Sequence, residues 1–330
     1  MTLDNKTIGE LPLDEFVSVI PRIYSRLDAS RSIWDVWLHA NHHAAGIGEE
    51  ARKRRPGGKL LEEIADTAMW LFTFVGKLQA PLGDPKPGER PEESLIRVSS
   101  SYSDLLWNKY PNMCPVCYWR RTQGERTRES SGVFAGPCDC LLADVESRDQ
   151  TQKRQHVNAI REYAADKVSE KPTSVDKWQD MFARIFAANL RHLDLASIAF
   201  HLLEEMGEVS DAMVRMYTYD GRKPVEPNWS QVWLEEEIAD VTSWLFALIE
   251  SLKLIIDTVD EYEKWRFGEA YTVRDRILLS TVLWRRYGAD SLRSLFCPHC
   301  RRTPCECSVL LPPEGITIDT IVKAYRGGGG

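Results

Sequence analysis

Leu60–Val75 reads LLEEIADTAMWLFTFV, and Trp233–Leu248 reads WLEEEIADVTSWLFAL. In both stretches glutamates precede an Ile-Ala-Asp triplet, and a Trp-Leu-Phe triplet follows at the same distance. Apolar residues at three- and four-residue steps draw a stripe along one helix face, so each stretch predicts a helix that sets carboxylates beside buried surface.

The repetition extends outward on both sides. PRIY at Pro21–Tyr24 answers ARIF at Ala183–Phe186, and HHAAGIGEE from His42 answers HLLEEMGEV from His201. LLWNKYPNMCPVC from Leu105 answers VLWRRYGADSLRSLFCPHC from Val282. The chain reads as a tandem duplication, with a first repeat over 1–145, a charged linker over 146–173 and a second repeat over 174–330. The linker ends on a breaker at Lys171-Pro172 and a cap-like Ser174. In the second repeat Phe182, Ile185, Leu190, Leu193, Ile198, Leu202, Met206 and Val209 keep the helical period, and few strand signals compete. The expected fold is all-α: two helical units packed as an intramolecular pseudo-dimer, each followed by a small cysteine module.

With 330 residues, 43% of them hydrophobic and 28% charged, the chain can bury a sizeable core. A net charge of −7 argues against a protein built to grip phosphate backbones, so nucleic acid is not an expected partner. No charged-then-apolar leader opens the sequence, and the apolar run at Ile238–Ile256 is broken by Asp240, Glu250 and Lys253. A cytoplasmic protein without a membrane span is expected, with further homo-oligomerisation left open.

In a reducing compartment eight cysteines do not predict disulfides. They fall into two quartets, Cys114, Cys117, Cys138 and Cys140, then Cys297, Cys300, Cys305 and Cys307. Two close pairs supply the four thiolates of a tetrahedral structural Zn²⁺, so two zinc ions per chain are expected. An iron–sulfur cluster would accept the same ligands.

The carboxylates of the second repeat come in pairs: Glu205 and Glu208, then Glu237 and Asp240. Residues three apart share a helix face, so two helices packed antiparallel would bring four acids together. Such acids cannot all stay ionised without a compensating cation, and a hard divalent ion such as Mg²⁺ answers that need. A solvated helix face is the alternative, against which stand the apolar surroundings and an aspartate in mid-helix.

The pattern Glu205-Met206-Gly207-Glu208, a connection over 209–236, then Glu237-Ile238-Ala239-Asp240 resembles the MazG-type nucleoside triphosphate pyrophosphohydrolases of the all-α NTP pyrophosphatase superfamily. The resemblance covers Trp178 to about Leu252, and more weakly Phe16 to Lys77. It implies Mg²⁺-dependent hydrolysis of a nucleoside triphosphate to monophosphate and pyrophosphate, with the four acids holding the metal. It also implies that two such units pair to complete a site, which a duplicated chain supplies from within itself. Glu204 is then the candidate for a spare acid that orients and deprotonates a water. Arg215, Lys253 and Lys264 are candidate cationic helpers. The cysteine quartets are not part of the family's common core.

The first repeat departs from this pattern. Setting Gly48 against Gly207 and Asp66 against Asp240 matches Glu49 with Glu208 and Glu63 with Glu237, but leaves Gly46 where Glu205 stands. One ligand is lost on this alignment, and a single working site is expected. The loop with Arg52, Lys53, Arg54, Arg55 and Lys59 either covers phosphates or is a solvated turn. His39 and His43 have a metal-compatible spacing without a third ligand, while His42, His201, Trp70, Trp244, Phe72 and Phe246 read as packing residues. Two further readings stay open: a nucleotide sensor without turnover, and a zinc-dependent interaction module.

Overall fold

The computed structural model describes residues 5–28, 31–53, 58–79, 96–122, 150–187, 189–218, 227–252, 277–289, 294–295, 297–298, 300 and 302–306. Cys138, Cys140, Cys307, Arg54, Arg55, Lys253 and Lys264 lie outside the described residues. The fold is helical, with one two-residue antiparallel pairing of β1 (Gly288–Ala289) and β2 (Ser294–Leu295).

In the first half α1 (Asn5–Glu10), α2 (Leu13–Val19) and α3 (Pro21–Asp28) precede the long α4 (Ile33–Ala51) and α5 (Gly58–Leu78). Helices α6 (Tyr102–Lys109), α7 (Pro115–Thr122) and α8 (Gln150–Asp166) follow, α8 lying within the linker. The second half contributes α9 (Val175–Ile185), the long α10 (Leu195–Thr218) and α11 (Pro227–Ser251), and α12 (Leu279–Tyr287). Local chemistry starts several of these. Ser32 and Asp35 form a capping box at α4, Ser101 caps α6 through the Asp104 amide, and Ser174 caps α9 through the Lys177 amide.

Two antiparallel pairs, α4 with α5 and α10 with α11, form the centre, and α4 packs on α10 between them. Trp37 Nε1 donates to Ser210 Oγ at 2.8 Å across that contact. The buried side chains of both halves form a single continuous core, so hydrophobic burial couples their folding. Trp178, Phe182 and Phe246 stack within the second half, and Phe16 meets Phe72 in the first.

The halves also exchange an element. Helix α6 of the first half lies on α11 of the second, where Tyr102 and Thr242 hydroxyls are 2.7 Å apart. Helix α12 of the second half lies on α5 of the first. Each crossing helix is pinned at home by one serine: Ser103 Oγ donates to Asp14 at 2.5 Å, and Ser280 Oγ to Asp176 at 2.6 Å.

Candidate metal centre

In the second half the antiparallel run of α10 and α11 brings Glu205, Glu208 and Glu237 together, with one carboxylate oxygen of each within 4.8 Å of the others. Glu237 is buried, Glu205 half-buried and Glu208 exposed, so the group opens to solvent on the Glu208 side. Trp244 Nε1 donates to Glu205 Oε1 at 3.2 Å and fixes that carboxylate. Burial, with the Asp240 charge adding to it, pushes the Glu205 carboxyl up to about 8. Burial and the neighbouring acids push Glu237 up to about 9. The protein thus holds an acid excess that a hard cation would relieve, and the donor set of carboxylate oxygens fits Mg²⁺ or Mn²⁺.

Asp240, the fourth acid of the pattern, stands at the edge of this group and is held by the other half. Lys109 Nζ, at the end of α6, donates to Asp240 Oδ2 and to the Glu236 carbonyl at 3.2 Å, and lies 3.7 Å from the Glu236 carboxylate. The Tyr110 hydroxyl donates to Asp240 Oδ1. Burial opposes the Lys109 charge, but the Asp240 and Glu236 carboxylates outweigh it and raise its pKa. One turn earlier, Glu235 accepts from the Ser99 and Ser100 amides at 3.2 and 3.1 Å and from Arg161 of α8 at 3.0 Å. That buried glutamate anchors the crossing segment.

Glu204 is not brought into the group. It is exposed, with Oε2 3.2 Å from His201 Nδ1. Arg215 is also exposed and pairs with Asp211 at 2.6 Å.

The first half corrects the alignment read from sequence. Trp70 is stacked between Tyr24 and His39, and Trp244 between Phe186 and His201. His39 therefore matches His201, at the same interval that separates Tyr24 from Phe186, and the helix carries no deletion. On this register His43 stands where Glu205 does, and Gly46 where Glu208 does. Two acids of the pattern are lost rather than one, and Glu49 is an exposed residue 3.8 Å from Lys53 instead of a site acid. The misreading has a simple cause: a three-residue slip on a helix rotates the apolar stripe by less than a turn, so both registers look amphipathic.

The first half fills the matching space with His43, Glu63 and Arg286. His43 Nδ1 is 2.8 Å from Glu63 Oε2, and a Cβ placed on Gly46 would come within 2.7 Å of the Glu63 carboxyl carbon. Glu63 thus occupies the space a ligand side chain would need. Arg286 of α12 donates through Nε and NH2 to both Asp66 oxygens at 2.9 Å, and the Tyr287 hydroxyl donates to Asp66 Oδ1. His39 packs on Trp70, so His39 and His43 do not share a ligand position. Lys53 and Lys59 pair with Glu49, Glu50 and Glu63.

In the C-terminal module Cys297, Cys300 and Cys305 bring their sulfurs within 4.8 Å, and the Glu306 amide donates to Cys300 Sγ at 3.4 Å. Such a thiol group could hold a metal ion. The module docks on the first half, where the Cys305 amide donates to the Ile23 carbonyl at 2.6 Å. Cys114 and Cys117 are buried at the start of α7.

Sequence reading missed Lys109, Tyr110 and Arg161 as neighbours of the acids, and Trp244 as a donor to one of them. The paired texts WNKY and WRRY were visible, but nothing local says that each crosses to the other half. No helix among the described residues is long and apolar enough to cross a membrane. Comparison with protein-family models, with curated proteins and with solved structures finds no match for this chain.

Proposed function

We propose that the second half is a divalent-metal-dependent nucleoside triphosphate pyrophosphohydrolase, releasing nucleoside monophosphate and pyrophosphate. The observation that carries this reading is the convergence of Glu205, Glu208 and Glu237 on one point, with two of them driven toward protonation by burial and mutual repulsion. Glu205, Glu208 and Glu237 would hold Mg²⁺, with Asp240 beside them; the ion would neutralise phosphate charge and polarise the attacked phosphorus. Trp244 keeps Glu205 in place through its indole N–H. Glu208, the exposed member, faces the side from which water and phosphates approach and takes the water-orienting role first expected of Glu204. A structural Zn²⁺ on the Cys297, Cys300 and Cys305 group, with Cys307 as the fourth thiolate in the sequence, would stabilise the module that docks on α3.

Purified protein incubated with a panel of NTPs and dNTPs, with and without Mg²⁺, tests this. Mg²⁺-dependent pyrophosphate release that Glu208→Gln abolishes supports the enzyme. Tight nucleotide binding without product makes it a sensor, and neither binding nor product refutes both.

A further inference from the structure

We propose that Lys109, delivered by the first half, is the cation that receives the nucleotide's phosphate chain in the second half's site, with Asp240 and Tyr110 as the fittings that aim it. This rests on the metal-dependent reading of the three-acid group.

Three observations carry it. First, Lys109 reaches the acids from a different half, and a helix with its own anchor, Ser103 on Asp14, brings it there. Second, Asp240 meets both Lys109 and Tyr110, which lie side by side in the chain, so their positions are fixed together. Third, among the described residues Arg161 is a further cation near this end of α11, and its NH2 is held by Glu235 and Glu236 at 3.0 and 3.3 Å. The Lys109 side chain keeps 13% of its surface exposed, beside a group that opens to solvent at Glu208. A lysine is suited to this task because its ammonium has three donors on a flexible stem: two go to Asp240 Oδ2 and the Glu236 carbonyl, and the third can take a phosphate oxygen. The residue at the matching place beside the first half's acids is Arg286, delivered by the second half, whose planar fork spends Nε and NH2 on Asp66. That geometry leaves the first half with a closed ion pair where the second half has a cation that can be shared.

A phosphate-binding cation beside a metal site has a signature that a merely structural lysine lacks. Its charge repels the metal ion and attracts the phosphates, so removing it moves the two affinities in opposite directions. The experiment titrates full-length wild type, Lys109→Met and Lys109→Arg with MnCl₂ alone, and then with the magnesium complex of inorganic tripolyphosphate, which carries the phosphate chain without a base. Lys109→Met is expected to bind Mn²⁺ about tenfold more tightly and tripolyphosphate about tenfold more weakly, the scale of one charge-assisted hydrogen bond. Lys109→Arg, which keeps the charge but brings the planar fork that closes on its aspartate, is expected to restore the weaker Mn²⁺ affinity and to recover tripolyphosphate binding only in part. Should Lys109→Met fail to fold, judged by circular dichroism, Lys109→Gln removes the charge while keeping a donor for Asp240, and the same opposite shifts are expected of it. Affinities that fall together, or do not move, overturn the proposal while leaving the metal site standing. A wild type that binds no Mn²⁺ refutes the metal reading itself and this inference with it.

Discussion

Asp66 and Asp240 occupy the same place in the two halves, and each is gripped by a basic residue and a tyrosine from the other half. Beyond that pair the halves diverge. Around Asp66 stand His43, Gly46, Glu63 and Arg286; around Asp240 stand Glu205, Glu208, Glu237 and Lys109. One set closes its charges internally, and the other accumulates acids that ask for a cation from outside. The two halves thus share their helix packing and their exchanged helices, while the three-acid group is assembled in the second.

The largest expected effect separates the two matched glutamates. Glu237→Gln should lower Mg²⁺-dependent turnover by more than about 100-fold, beyond what loss of an outer support to a metal ligand costs. Glu63→Gln should change it by less than about threefold, since Glu63 lies in the other half and pairs with His43. Comparable losses in steady-state assays of the two variants would erase the proposed asymmetry.

The acid excess should also be visible in stability. Glu205 and Glu237 titrate near 8 and 9 in the folded protein against an ordinary value of 4.5, so the unfolded chain holds fewer protons between pH 4.5 and 9. Stability then falls as pH rises across that window. In EDTA the Tm should drop from pH 6 to pH 9, and Mg²⁺ should raise it more at pH 9, where metal no longer has to displace protons. A Mg²⁺ effect that is flat or larger at pH 6 would contradict the protonated pair.

Arg286→Met addresses the closed half. It leaves Asp66 with Tyr287 and with His43 Nδ1 at 3.9 Å, and loss of the partly exposed pair should cost about 2 kcal/mol in urea unfolding, below the range for fully buried pairs. Turnover should stay near wild type. If activity is lost while stability holds, the first half takes part in the chemistry. The mildest change, Ser210→Ala, removes the hydroxyl partner of Trp37 across the α4–α10 contact and should cost about 1 kcal/mol in the same measurement, without affecting metal binding.

Much of this architecture could be read from the residues. The helical stripes and the Glu205, Glu208 and Glu237 grouping rest on spacing along one or two helices, which sequence records directly. The register of α4 could not be read with the same ease. The local text around Gly48 favours one alignment, whereas the aromatic stack of Tyr24, Trp70 and His39 sets another, and that stack joins three helices. The exchange of α6 and α12 was hidden for a similar reason, because a crossing depends on where a loop leads rather than on the helix it delivers. Glu204 was chosen for its sequence neighbours, but adjacent residues on a helix point about 100° apart, and it sits outside the acid group.

Whether the proposed metal site belongs to the second half alone is decided by Mn²⁺ titration of wild type, Glu205→Gln and Glu63→Gln, read by electron paramagnetic resonance. A single carboxylate-held Mn²⁺ per chain is expected, abolished by Glu205→Gln and retained in Glu63→Gln. Two equivalent ions per chain, or loss of binding in Glu63→Gln, would contradict the assignment to one half.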